Sequence, residues 1–183
     1  MIRTTRTVLI PGVALTLALS ACGGTGSTAT GGVVTPTPGA CPTSSTRVFA
    51  KTRFVADIGL AAGTFHHWIY APYRAGSFDK RAKGRLTALV KAGAVALVDA
   101  KLIDNAYRDV EASPALCTLL IAPLGDLRAA LATAKEQLIT GNTTGLGSLE
   151  GLVQRIESTA KSHGASIIEN SDLASAQSAL GNG

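Results

Sequence analysis

One long apolar seam constrains the fold of this chain more than any other feature. Ala82, Leu86, Leu89, Gly93, Ala96, Ala100, Ile103, Tyr107 and Val110 recur at alternating steps of 4 and 3, through four heptads. That period belongs to an α-helix with one buried face, and a strand cannot present it. Val90 and Leu97 widen the seam toward the face of a bundle helix. The helix is expected from about Phe78 to Ala112. Gly93, Ala96 and Ala100 lack bulk at mid-seam, which predicts a neighbouring backbone lying unusually near.

Three further stretches carry the same period. Phe54, Ile58, Ala61, Phe65 and Trp68 follow a Ser/Thr cluster suited to capping, and Pro72 and Gly76 are expected to end that helix. Ser113-Pro114 supplies a cap and a first-turn proline for a third helix. Its stripe is Leu116, Leu120, Leu127, Leu131, Ala134 and Leu138, with a kink expected near Pro123 and a stop at Gly141. Ser148 is expected to cap a fourth, with Leu149, Leu152, Val153, Ile156 and Ala160 inward and Gly164 beyond its end. A short amphipathic piece follows from about Asp172 to Leu180. No segment alternates with period two. Residues 46–183 therefore read as an all-α domain, a helical bundle of about four main helices.

The chain has 183 residues, 46% apolar, with a mean hydropathy of +0.27, which excludes wholesale disorder. No uninterrupted apolar run approaches the roughly 20 residues of a membrane-spanning helix, so a polytopic membrane protein is excluded. Residues 1–21 have a different logic. Arg3 and Arg6 precede the 12-residue apolar stretch Val8–Leu19, broken by Pro11 and Gly12, which is the form of an export signal. Residues 22–45 then hold no charge and no aromatic side chain. Such a segment cannot bury a core and reads as a flexible linker with a mean reach of roughly 25 Å.

Leu19-Ser20-Ala21-Cys22 resembles the lipobox of bacterial lipoproteins at all four positions. The resemblance implies cleavage before Cys22, acylation of its thiol, and a membrane anchor of two or three chains on the outer face of the cell membrane. It also implies an exported protein, an oxidising compartment and no nucleic-acid partner. With Cys22 used for lipid, Cys41 and Cys117 remain as one candidate disulfide, closing a loop of 76 residues; two unrelated buried thiols are the other reading. The alanine-rich helices and the Thr-Pro-Thr-Pro linker, which offers sites for O-linked sugar, look like those of actinobacterial lipoproteins. FHHWIYAPYRAGSF, with Lys83-Gly84-Arg85 and Lys91-Ala92-Gly93, is also similar to uncharacterised actinobacterial secreted proteins, and that likeness brings no activity with it.

Phe65–Phe78 holds five of the eight aromatic residues and two of the three histidines. His66 and His67 point about 100° apart on a helix, which suits one metal ion poorly even if His163 joins them. No cofactor motif and no nucleophile with a base stand out, so no catalytic residue is nominated. Asp79–Lys83, Asp104–Arg108 and Glu157–Lys161 have the i, i+4 spacing of surface ion pairs. Between Arg47 and Lys91 nine bases meet two acids, whereas residues 92–183 carry six bases and ten acids. That asymmetry reads either as complementarity between helices or as a basic, aromatic contact surface. Its candidate members are His66, His67, Trp68, Tyr70, Tyr73, Arg74, Arg81 and Lys83, and its candidate partners are anionic lipid or cell-wall polymer. The expected function is a non-enzymatic, membrane-tethered binding or structural module of the envelope. The alternative is a small-ligand or lipid carrier with a pocket beside Gly93, Ala96 and Ala100. Nothing in the sequence sets an oligomeric state.

Overall fold

The computed structural model describes residues 41–182. The export signal, the Cys22 anchor and most of the linker lie outside the described residues. Helices α1 (Ala50–Phe65), α3 (Arg85–Glu111), α4 (Pro114–Ile139) and α5 (Leu146–Ser162) are the four main elements. A π-helical turn (His66–Tyr70) joins α1 to the four-residue α2 (Ala71–Arg74), and α6 (Leu173–Ala179) with a 3₁₀ turn (Leu180–Asn182) closes the chain. Consecutive main helices pack on one another, α1 on α3, α3 on α4 and α4 on α5, and α6 lies against α1 and α3. Phe54, Ile69, Leu102, Leu120, Leu124, Leu138, Leu149 and Ile156 fill the core with almost no exposure.

Glycines end three helical stretches where the sequence placed their stops. At Gly141 and Gly164 the backbone takes φ of 74° and 71°, a region that costs glycine nothing. The residue after each glycine returns its N–H to the carbonyl three before the cap, Asn142 to Gln137 at 2.8 Å and Ala165 to Ala160 at 2.8 Å. Gly76 ends α2 in the same way. Pro72 does not end the first helix. It sits just past the π-turn, where Ala71 N–H reaches back five residues to His66 O and the wider turn makes room for the proline ring.

Two helix starts differ from expectation. α3 begins at Arg85, not near Phe78, because Gly84 adopts φ 76° and residues 79–83 carry four charges and nothing large to bury. Phe78 alone is anchored in the core, and Arg85 Nε donates to its carbonyl at 2.9 Å. α5 begins at Leu146, since that side chain is buried, and Ser148 lies exposed inside the helix. Ser113 does stand at the start of α4, but its hydroxyl makes no capping bond; Pro114 and the Cys117 N–H bond to Ser113 O shape the turn. α4 continues through Pro123 as one helix. By length and composition it is apolar enough to cross a membrane, yet Leu116, Leu120, Leu124, Leu127, Leu131 and Leu138 are spent on the core.

The buried face of α3 is also turned from the expected one. Leu89, Ala96, Ile103 and Val110 are buried as predicted, but their companions are Ala92, Asp99 and Ala106. Leu86, Val90 and Leu97 are 74%, 65% and 58% exposed, so they do not widen the packed face. Gly93 looks into open space and no backbone approaches it. The close approach occurs on α1, where a Cβ on Gly63 would lie 2.5 Å from Asn170 O and 2.6 Å from Asn170 N, and one on Gly59 would collide with the Ile168 carbonyl. Residues 165–171 run without helix across this glycine-floored track, and Asn170 N–H donates to Gly59 O at 2.9 Å.

Cys41 and Cys117 are bridged, with Cα atoms 5.5 Å apart, which pins the start of the domain to the first turn of α4. Thr46 N–H adds a bond to Ala112 O at 2.9 Å.

Candidate functional site

The π-turn decides where the distinctive side chains of Phe65–Phe78 go. Phe65, Ile69 and Phe78 point into the core, while Trp68, Tyr70 and Tyr73 are half-buried and pack against it. Tyr70 stacks on Phe65 with ring centres 5.9 Å apart. Trp68 Nε1 donates to Ser171 O at 3.2 Å, and Lys91 Nζ sits 3.5 Å above its ring in a cation–π contact. His67 is exposed and meets the Trp68 ring edge-on. The aromatics are thus part of the fold's end wall, packed against the core.

His66 faces two carboxylates. Its Nδ1 lies 2.6 Å from Glu169 and its Nε2 lies 2.7 Å from Glu150. Carboxylates only accept, so the doubly protonated imidazolium is the form of the ring that satisfies both contacts. Partial burial works against that charge, but the bonds to Glu169 and Glu150 outweigh it and raise the pKa above its ordinary value. Glu157 lies in the same field. Its pKa is raised by burial and by the charges of Glu169 and Glu150, against the pull of His66. This clamp joins the π-turn to α5 and to the 165–171 segment, and it leaves no His66 nitrogen free for a metal ion. His163 is elsewhere, bonded to Thr159 O at 3.0 Å. Among the described residues no three His, Cys, Asp or Glu side chains converge on a possible metal site.

Cations supply the exposed chemistry of this end. Arg74, Lys80, Arg81 and Lys83 are exposed, and among the described residues none has an acidic partner within 4 Å. The three expected i, i+4 ion pairs do not form. Asp104 pairs instead with Arg128 of α4 at 2.6 Å, and Arg108 donates to Asn105. Leu86, Val90 and Leu97 extend from the cations along the outer side of α3, a patch that the helical seam concealed because its residues were assigned to the core. The chain comes into the domain at Cys41, beside the C-terminal end of α3. The basic end lies at the other end of that 27-residue helix, about 40 Å away.

Inside the bundle, α1, α3, α4 and α5 surround a cavity of about 20 Å³, room for one water and far too small for a lipid. Its one polar lining residue is Asp99, 1% exposed. The Thr64 hydroxyl lies 2.6 Å from both Leu60 O and Asp99 Oδ1. A hydroxyl has one proton, so it satisfies both short contacts only when Asp99 is protonated and donates to Thr64 while Thr64 donates to Leu60. Burial likewise pushes the Asp99 pKa well above the usual carboxylate range, only partly opposed by the Thr64 bond. No family model matches this chain, and no curated protein and no solved structure matches it either.

Proposed function

We propose that this chain is an exported lipoprotein held by acyl chains on Cys22, and that its bundle is a non-enzymatic binding module for an anionic component of the cell envelope. The observation that carries this reading is the set of four exposed cations, Arg74, Lys80, Arg81 and Lys83, without an acidic partner within 4 Å among the described residues, followed along the chain by the exposed Leu86 and Val90. Cations without internal partners attract anionic lipid headgroups or wall polymer, and neighbouring apolar side chains add area that leaves water on contact. Their position far from the Cys41 junction suits a module that reaches outward from its tether. The carrier alternative places an apolar pocket beside Gly93, Ala96 and Ala100, but Gly93 faces open space and the apolar space inside the bundle is only about 20 Å³.

The test uses the unit from Pro36 onward, which retains Cys41. At low salt it is expected to sediment with phosphatidylglycerol vesicles or with isolated anionic wall polymer. Raised salt weakens that binding as the Debye length falls below about 8 Å. Arg81→Glu with Lys83→Glu abolishes it while melting stays within about 0.5 kcal/mol of the parent, since both positions are exposed. Equal binding by the parent and the double variant, or none by either, refutes the reading. The anchor is tested separately: Cys22→Ala is expected to stop incorporation of labelled fatty acid, and unchanged incorporation rejects the lipobox assignment.

A further inference from the structure

A second polar site lies at the opposite end of α3, where nothing in the basic surface bears on it. Arg47, Arg53, Ala56, Asp57, Asn105, Asp109 and Ala179 line a pocket of about 250 Å³ between α1, α3 and the C-terminal helix. Asp109 and Asn105 are 2% and 3% exposed, unusual burial for such groups at a pocket wall. Arg47 Nη1 reaches Asp109 Oδ1 at 2.9 Å. Arg108 donates to Asn105 Oδ1. An arginine only donates, so this contact fixes the amide orientation and leaves Asn105 Nδ2 as a buried donor without an acceptor. Asp57, half-buried, accepts no hydrogen bond from any described residue, and Arg53 has no ion-pair partner within 4 Å among them.

The pocket is thus lined by Asn105, whose buried Nδ2 has no acceptor, by Asp57, which accepts no hydrogen bond from any described residue, and by Arg53, which lies in the field of Asp57 and Asp109 without an ion pair within 4 Å among the described residues. A cation docking here would face Arg47 and Arg53; an anion would face Asp57 and Asp109. A hydroxyl group donates and accepts at once and brings no charge, so adjacent hydroxyls match this mixed set without opposing either sign. Leaving a buried donor such as Asn105 Nδ2 unpaired is costly, and a ligand that pairs it gains correspondingly in selectivity. We propose that this pocket binds a neutral, hydroxyl-rich ligand, a single sugar ring or a polyol of similar size, through Asn105, Asp57 and Arg53. The site is independent of the envelope-binding surface, and either can fail without the other.

Full-length ¹⁵N-labelled chain in zwitterionic micelles provides the test, read at the Asn105 side-chain amide by NMR. Methyl β-D-glucopyranoside and myo-inositol are the neutral probes; ethanolamine, acetate and inorganic phosphate are the charged ones. A saturable shift of that amide with either neutral probe is expected, with a dissociation constant on the order of 1 mM. Asp57→Ala is expected to weaken it at least tenfold. Arg53→Ala, at an exposed position, gives a second measure if Asp57→Ala disturbs the remaining spectrum. No shift with either neutral probe overturns the proposal, as does a shift confined to ethanolamine or to the anions, or a response unchanged in both variants.

Discussion

Replacing Asp99 with Asn tests the electrostatics of the core directly. In the folded chain burial favours the neutral Asp99 carboxyl and raises its pKa, whereas in the unfolded chain it ionises near the ordinary aspartate value of about 3.9. Between that value and its raised folded value, the folded state holds a proton that the unfolded state has released. Stability from this group is therefore complete below pH about 4 and is lost as pH rises through the window. For one proton the loss is at most tenfold in the folding constant for each pH unit, about 1.4 kcal/mol. Asparagine removes the titration and keeps a donor toward Thr64. Its second N–H and its carbonyl inherit the site of the unpartnered Oδ2, so at pH 4 the variant is expected to be less stable than the parent by about 1–2 kcal/mol.

As pH rises toward the raised folded value, the difference changes in favour of Asp99→Asn by up to the slope above. Urea unfolding at half-unit steps from pH 4 to pH 8 measures it, with Thr64→Val as a companion. That second variant removes the relay while leaving the carboxyl buried, and it is expected to cost about 1–3 kcal/mol at pH 4. A parent-minus-variant difference that stays flat across the range would show that Asp99 is ionised, or already titrates normally, in the folded chain.

Other changes probe the remaining devices of the fold. Gly63→Ala would gain up to about 1 kcal/mol of helix propensity at an open position, as Gly93→Ala is expected to do. Against the Asn170 backbone it is instead expected to cost about 1–3 kcal/mol, and chemical denaturation of the two variants should give opposite signs. His66 contributes stability that is complete below pH about 6.5 and fades as pH rises through its raised folded value. Amide exchange in residues 165–171, corrected for intrinsic rates, is expected to quicken above that point in the parent, and His66→Gln should remove this pH dependence. Cys117→Ser opens the 76-residue loop and is expected to cost on the order of 4 kcal/mol, measured by thermal or urea melting of the oxidised parent beside the variant.

How much of this was legible varies with how local the cause is. The stops at Gly76, Gly141 and Gly164 were readable because a left-handed residue ends a helix with bonds to its own last turn. The Cys41–Cys117 pair was readable by counting. The buried face of α3 was misplaced because its members include Asp99, Asn105 and Asp109, which sequence reasoning sends to solvent, while Leu86, Val90 and Leu97 invite burial they do not receive. Placing Asp99 inward required its partner, Thr64 of α1, to be known, and that pairing spans 35 residues. Gly59 and Gly63 gave no hint of what crosses them, since their function is set by a segment more than a hundred residues away. His66 stood out by composition, but Glu150 and Glu169, which decide its charge, are ordinary surface-type residues in the sequence.

The separate electrostatic features of the described residues act in one direction. Asp99 is raised by burial, Asp57 is pushed up to about 6 by burial and by Asp109, and burial raises Asp109 despite its arginine neighbours. Glu157 and His66 are raised within one shared cluster, so their two contributions are not independent. Only the fully exposed cap Asp172, held down by its bonds to Ser175 and Ala174, moves the other way, and it faces bulk solvent. A group with a raised pKa binds its proton more tightly folded than unfolded, whichever charge it ends with. These groups therefore take up protons as the fold forms, and the stability each contributes is lost as pH rises through its raised folded value. That uptake arises because three aspartates are sheltered by α1 and α3 and one histidine is held between two glutamates. The first cause withholds water from carboxylates, the second supplies negative charge to an imidazole, and both make protonation part of the packed structure.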